Sequence, residues 1–408
     1  MKDYATVPNI TGAFPNVVSK NTTGPGETDG TPYIKQVIDD LWGARQDLMN
    51  EAGLTPDGSD EATGSSQFLA ASKIVIKKEL RRCFVDNWRR IENTSLTTDS
   101  FFDFAYARNL SGLEKRMYVG VGQRSANSGI WSSQGGNASW SERTNPTPSG
   151  NLNGVIFDPI NDLFIAVGEV AGVDANIATS ADGKAWTQRT NPKAFALNGL
   201  ASDGTSIIVA VGDADGTDAY IVTSPDGINW TERANPKNFA LNNVTWSDDL
   251  SLFIAVGVSD GSDTYTITSP DGITWTERTT PDNLAYEDVA ASDDIVVAVT
   301  NSDNMMRSTD GITWTGFAIP QVSGEGIQSI VWSPELKLFI VGFTTSVDDG
   351  GIAIALSPDG ITWNVVFVGI DNDVTDFTFY GMIAGEEKII GGGISGSIGF
   401  SLNWSCSL

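Results

Sequence analysis

The sequence predicts a mainly β fold, a seven-bladed β-propeller preceded by a small helical N-terminal anchor, and three observations predict it. The first is composition: 43 glycines and 12 tryptophans stand beside six methionines in 408 residues, which favours short strands and tight turns over long helices. The second is a repeat. TSPDGITWTER at 268–278 returns as TSADGKAWTQR at 179, TSPDGINWTER at 223, RSTDGITWTGF at 307 and LSPDGITWNVV at 356. The third is its period: Trp140, Trp186, Trp230, Trp275, Trp314 and Trp363 follow one another at 46, 44, 45, 39 and 49 residues, the spacing of propeller blades.

Within one period, alternation and turn residues mark four short strands: NNVTWSD (242–248), LFIAVGV (252–258), TYTITS (264–269) and TWTER (274–278). The first unit, FFDFAYARN (101–109), RMYVGVGQ (116–123) and SGIWSSQGGNASWSER (128–143), has a degenerate turn without Asp. The last unit, TDFTFYGMI (375–383), EKIIGGGIS (387–395) and GSIGFSLN (396–403), puts Ser401 and Asn403 where Ser and Asp belong and lacks a fourth strand. NWRRIEN at 87–93 resembles the fourth-strand sequence NWTERAN at 229–235, so Trp88–Glu92 is expected to pair with 396–403 and close a ring of seven. That pairing would put Cys83 and Cys406 off the same end of the two strands. One amphipathic helix over 66–92 is the alternative, because short apolar runs fit strand and helix equally.

The repeated S-x-D-G-x-x-W has a physical sense as a turn between third and fourth strands. In it Asp271 accepts turn amides, Gly272 takes positive φ, Ser269 ties its hydroxyl to nearby backbone and Trp275 packs over the turn. The same roles fall to Ser180, Asp182, Gly183 and Trp186; to Ser224, Asp226, Gly227 and Trp230; to Ser308, Asp310, Gly311 and Trp314; and to Ser357, Asp359, Gly360 and Trp363. The motif resembles the Asp-box of sialidases and of many propellers without hydrolase activity. The resemblance implies a fold and no particular chemistry.

Ahead of the repeats the composition changes. Thr31 and Pro32 can open a helix whose apolar face is Ile34, Val37, Ile38, Leu41, Trp42, Leu48 and Met49, with Gly53 at its exit. A loop at 54–64 leads to a second helical stretch, SSQFLAASKIVIKKELRR (65–82). Residues 26–71, with D-x-W-G-x-x-Q-x-L-x-N-x-A-G followed by T-P-x-G and S-Q-x-L, look like the N-terminal segment of bacteriophage tail fibre and tail appendage proteins. The resemblance implies a virion protein of the tail, made in the host cytoplasm, present in several copies, with its N-terminal part on other tail proteins and its C-terminal part toward the host. The expected organisation is thus an attachment segment over 1–72, a connector over 73–100 that includes the strand at 88–92, and the propeller over 101–408.

Charge and residue types narrow the function. The net charge is −26, and 37 acidic against 14 basic side chains fall in 101–408, so nucleic acid and anionic lipid are poor partners. Seven basic residues, Lys73, Lys77, Lys78, Arg81, Arg82, Arg89 and Arg90, lie in eighteen positions and suit an acidic neighbour or a solvated face; with them, residues 1–90 are the expected contact with other tail proteins. No apolar run approaches the ~18 residues of a membrane helix, and MKDYATVPNITGAF lacks the basic start and apolar core of a secretion signal. With no histidine and two cysteines there is no His-dependent triad, no disulfide framework and no usual zinc site.

Sialidase chemistry is not expected, because four of the eight propeller arginines, Arg143, Arg189, Arg233 and Arg278, hold one repeat position, whereas a catalytic site is asymmetric. Another glycosidase would need only two carboxylates, and the sequence singles out none. No catalytic residue and no cofactor is therefore expected. DADGTDAY at 213–220 gathers Asp213, Asp215 and Asp218 in the manner of a calcium loop, without the full ligand spacing. The expected task is adsorption to a host surface glycan or protein receptor through loops near Asp213, Asp260 and Asp348. The alternatives are a structural tail part that joins neighbours and a glycan depolymerase.

Overall fold

Apolar strands bounded by Gly, Asp and Pro turns build a computed structural model that is β throughout its described residues. These are Ile10–Thr11, Val18–Ser19, Arg89–Ile91, Asn403–Ser405 and residues 99–395, save 109–115, 125–126, 136–139, 147–149, 172–173, 293, 301, 320–325, 335, 346–350, 370–376 and 386–387. The chain divides into two units, Met1–Asp86 and Asn87–Leu408. In the first, β1 (Ile10–Thr11) pairs antiparallel with β2 (Val18–Ser19). The expected anchor helix at 32–52, the stretch at 65–82 and the two cysteines lie outside the described residues. No helix occurs among the described residues, and so none long and apolar enough to cross a membrane.

The second unit opens with β3 (Arg89–Ile91) and continues with six blades. The first contains β4 (Asp99–Ala107), β5 (Met117–Arg124), β6 (Asn127–Gln134) and β7 (Ser141–Arg143). The second contains β8 (Leu152–Asp158), β9 (Leu163–Ala171), β10 (Asp174–Ser180) and β11 (Thr187–Gln188). The third contains β12 (Leu197–Ser202), β13 (Ile208–Ala214), β14 (Ala219–Ser224) and β15 (Thr231–Arg233). The fourth contains β16 (Leu241–Ser247), β17 (Leu252–Ser259), β18 (Thr264–Ser269) and β19 (Thr276–Arg278). The fifth contains β20 (Tyr286–Ala291), β21 (Val296–Thr300), β22 (Asn304–Ser308) and β23 (Trp314–Ala318). The sixth contains β24 (Ile327–Ser333), β25 (Leu338–Thr345), β26 (Gly351–Ser357) and β27 (Asn364–Gly369).

The expected count of seven is corrected here, because six blades are built from four strands consecutive in sequence. What remains is a composite sheet: β28 (Phe377–Gly385), β29 (Lys388–Ser395) and β30 (Asn403–Ser405), with β3 on its outer side. Asn403, expected at a turn, lies in β30 opposite Ile91, while Arg89 faces Ser405. The physical reason is the loss of the Asp-Gly turn: without it the last repeat supplies no fourth strand of its own, and the outer half of this sheet is two strands of three residues each.

Burial peaks in the middle strands of the blades. The middle strands β14 and β18 are buried at every position, while the outer β15 and β19 start exposed. Middle strands are covered on both faces because neighbouring blades stack face to face, which explains why they read as continuous apolar runs such as LFIAVGV. Phe164, Phe253 and Phe339, one per blade at the same place in β9, β17 and β25, are fully buried.

Candidate functional site

The repeated turn clamps blades together. Asp271 Oδ1 accepts the amides of Ile273 (2.9 Å) and Thr274 (2.7 Å) and the Ser269 hydroxyl (2.9 Å), and Gly272 has φ +68°. The same bonds recur around Asp182, Asp226, Asp310 and Asp359. Some burial opposes ionisation, yet these donors hold Asp226 and Asp310 down at about 2. A Cβ on Gly272 would lie 2.8 Å from Val209 Cγ2, so the turn leans on the preceding blade. Trp275 fills the same seam, packed with Val209, Val211 and Phe253, and its indole N–H donates to Gly272 O at 3.1 Å. The four symmetric arginines are structural as well: Nε of Arg143 donates to Ser132 Oγ (2.7 Å), and Nε of Arg189, Arg233 and Arg278 to Thr179, Thr223 and Thr268 Oγ1 (2.8 Å each).

The acidic hairpins are likewise occupied by the protein itself. Asp215 lies beside Asp218 and Glu232, and Asp260 beside Asp263 and Glu277. Lys193 Nζ meets Asp215 at 2.7 Å and also pairs with Glu232; Lys237 Nζ meets Asp260 at 2.5 Å and also pairs with Glu277. Lys193 is the largest cause that holds Asp215 down at about 2. Asp213, expected with Asp215 and Asp218, instead accepts the Asn198 side chain at 3.0 Å. Asp260 is thus committed to its ion pair, and Asp348 lies outside the described residues. Because an ammonium already sits among each carboxylate group, millimolar calcium is expected to leave the melting temperature unchanged, as a calcium titration followed by thermal denaturation would check.

A different set of residues converges at the centre of the second unit. The first strands of the six blades and β28 wall a cavity of about 470 Å³. Each of these strands bulges at one place: the register slips between Phe101 and Asp103, Leu152 and Gly154, Leu197 and Gly199, Leu241 and Asn243, Tyr286 and Asp288, Ile327 and Ser329, and Phe379 and Gly381. The residue in each gap is an extra one, and a bulge re-aims its side chain. These seven, Phe102, Asn153, Asn198, Asn242, Glu287, Gln328 and Tyr380, line the cavity as a rim.

The rim has two sectors. Three asparagines stitch blade to blade: Nδ2 of Asn153 donates to Leu197 O (3.0 Å), that of Asn198 to Leu241 O (3.0 Å) and that of Asn242 to Tyr286 O (2.9 Å). Phe102 of the first blade and Tyr380 of the composite sheet meet edge to face across the seam between them, ring centroids 5.5 Å apart at 77°. Between the two sectors lie Glu287, whose carboxyl is pushed upward by burial, and Gln328, whose Oε1 is buried without a hydrogen-bond partner. Of this wall, sequence reasoning singled out no residue. The available signal was a polar residue directly after the apolar start of the first strand in five of the six blades, at 153, 198, 242, 287 and 328.

Deeper in the wall, Asp103 and Asp288 clamp neighbouring blades. Asp103 accepts the Phe104 amide on Oδ1 and the Val155 amide of the next blade on Oδ2, both at 2.8 Å. Asp288 accepts the Val289 and Ile330 amides at 2.8 Å and the Asn243 amide at 2.5 Å. Withdrawal from water outweighs these donors and pushes Asp103 up to about 8 and Asp288 to about 6. The folded chain therefore binds a proton at Asp103 that the unfolded chain, with an ordinary pKa near 3.8, has released. This contribution to stability is full below that ordinary value and is lost as pH rises toward 8. The melting temperature is expected to fall by roughly 5 °C between about pH 5 and pH 9, and Asp103→Asn should flatten the fall.

Known proteins were compared with this arrangement. Residues 240–377 match the DUF6242 beta propeller domain. The match runs from the fourth blade to the start of β28. In fold, the chain is similar to a solved structure of YCF48 bound to D1 peptide, with a TM-score of 0.55, 16% identity and coverage of 79% of this chain and 96% of that one. It is also similar to the GH74 enzyme of Niastella koreensis, with a TM-score of 0.49, 15% identity and coverage of 74% of this chain and 51% of the enzyme, so it spans about half of that protein's length. No curated protein matches it in sequence. At these identities the likeness is one of propeller fold alone.

Proposed function

We propose that this chain is a bacteriophage tail protein, attached through its N-terminal part, whose propeller holds the host cell surface. The observation that carries the binding half is the rim: seven side chains re-aimed by bulges into one cavity, polar ones beside an aromatic pair. Such a mouth on a rigid scaffold suits a ligand with hydrogen-bonding groups and an apolar face, as a surface glycan has. The attachment half rests on the resemblance of residues 26–71 to tail fibre segments. The S-x-D-G-x-x-W turns, each closed by the same Asp and Gly geometry, support the Asp-box reading of the repeats.

Binding is favoured over hydrolysis by the state of the carboxylates. Asp103 and Asp288 both have their oxygens committed to backbone amides of their own or the next blade, which leaves Glu287 as the free acid among the described residues of the wall. A glycosidase needs a second free acid beside it. Deletion of residues 101–408 tests the reading: virions that assemble and fail to adsorb are the expected result. Tails that do not assemble would assign a structural role instead, and shortened host polysaccharide after incubation with the purified chain would assign a depolymerase.

A further inference from the structure

The first strands of the blades carry a second set of aligned side chains, four residues past the rim and so about 13 Å further along each strand. Phe157, Ser202, Trp246 and Trp332 hold this position on β8, β12, β16 and β24. Between Phe157 and Trp246, where the third blade offers the small Ser202 and Gly204, lies a hollow of about 430 Å³. Ile156, Pro159 and Val244 add apolar wall, and its charged groups are Asp203 and Asp248. Among the described residues no lysine or arginine lines it.

Trp246 and Trp332 are set alike and finished differently. Each leans on a phenylalanine of the adjacent strand, Phe253 at 4.6 Å and 54° and Phe339 at 4.7 Å and 52°. Each strand then enters a loop of equal length, 248–251 and 334–337, whose last residue has positive φ, +50° at Ser251 and +53° at Lys337. Lys337 places its Nζ over the Trp332 ring, 5.9 Å from the centroid. Ser251 is too short for this, and its hydroxyl turns back to Asp248 O at 3.3 Å. In the second blade the same place is held by Asp162. The Trp246 indole thus lacks the ammonium that its counterpart has, while its edge meets an acid: Nε1 donates to Asp248 Oδ1 at 2.7 Å.

The acids keep their charge. Some burial opposes ionisation of Asp203, yet the amides of Ile207, Ser206 and Thr205 and the Ser206 hydroxyl hold it down at about 2. Asp248 is exposed. An indole face beside carboxylates attracts a cation and disfavours an anion. A neutral sugar would meet the ring and leave the charge unanswered. A lysine answers both, since its four-carbon stem suits the apolar wall while its head stays with the acids.

We propose that the hollow between Phe157 and Trp246 takes a lysine side chain from a basic segment of a partner protein, with the ammonium against the Trp246 indole and Asp248 and the stem against the apolar wall. The partner's lysine does at the fourth blade what Lys337 does at the sixth. This site is separate from the rim and does not rest on the host-surface reading.

The test is a ligand-observed NMR titration of the full chain with a blocked Ala-Lys-Ala peptide, its Nζ-acetylated form, a blocked Ala-Arg-Ala peptide and glucosamine. The lysine peptide is expected to bind at least about five-fold more tightly than the acetylated one, and more weakly as salt is raised. Ser251→Lys should set the chain's own ammonium over Trp246 and weaken the lysine peptide at least about five-fold. It should do so without lowering the melting temperature, because Lys337 already holds that backbone angle in a loop of the same length. Asp248→Asn, which keeps an acceptor for the indole, should weaken the lysine peptide and leave the acetylated one unchanged. Equal affinity for the acetylated peptide, or a folded Ser251→Lys protein that binds lysine as the wild type does, would overturn the proposal. An arginine peptide or glucosamine bound more tightly than the lysine peptide would overturn lysine as the occupant.

Discussion

Trp275→Ala should lower the unfolding free energy by about 3–5 kcal/mol, the range of large core truncations. The side chain is 7% exposed and wedged between Val209 and Val211 of the third blade and Phe253 of its own, so its loss opens a void at a seam where neither blade can collapse alone. It also frees the Gly272 carbonyl to which the indole donates. Two residues earlier, Ile273 is 43% exposed, and Ile273→Ala should stay within about 0.5 kcal/mol. Urea unfolding of both variants measures the contrast. Similar losses at the two positions would mean that the turn, rather than the seam, carries the stability.

Asp288→Leu should be comparably severe and for an opposite reason. The shape is nearly kept, but the amides of Val289 and Ile330 and the side chain of Asn243 lose their acceptor in the wall between the fourth, fifth and sixth blades. Each stranded donor costs about 1–3 kcal/mol, which puts the total for three at about 3 kcal/mol or more. Asp288→Asn returns one acceptor oxygen and should recover part of the loss. If the leucine variant unfolds at the wild-type urea concentration, the clamp contributes little and the blades are held by their apolar faces.

How far the sequence discloses this molecule depends on whether a feature repeats in phase with the chain. The turns from Asp182 to Asp359 do, and in each the Asp accepts the amide two residues on. The symmetric arginines read correctly for the same reason: one repeat position, one bond to the adjacent strand. The blade count is corrected because the expected seventh unit has lost its Asp-Gly turn and supplies no fourth strand of its own, even though the upstream strand β3 was read as its partner. The rim was hidden because a bulge is a slip of one residue inside a strand, and strict alternation hides which residue it turns outward. Asp213 and Asp260 illustrate the converse: they stand out as acidic loops, yet their partners, Asn198 and Lys237, lie 15 and 23 residues away and are invisible to a local reading.

The stitches have a consequence for how this rim can change over generations. At positions 153, 198 and 242 one side chain both joins two blades and faces the cavity, so a substitution that retunes recognition there also loosens the scaffold. At 102, 287, 328 and 380 no described hydrogen bond ties the side chain into a neighbouring blade's backbone. Four adjacent positions are therefore open to trial while three hold the frame, which confines freely variable side chains to one side of the mouth.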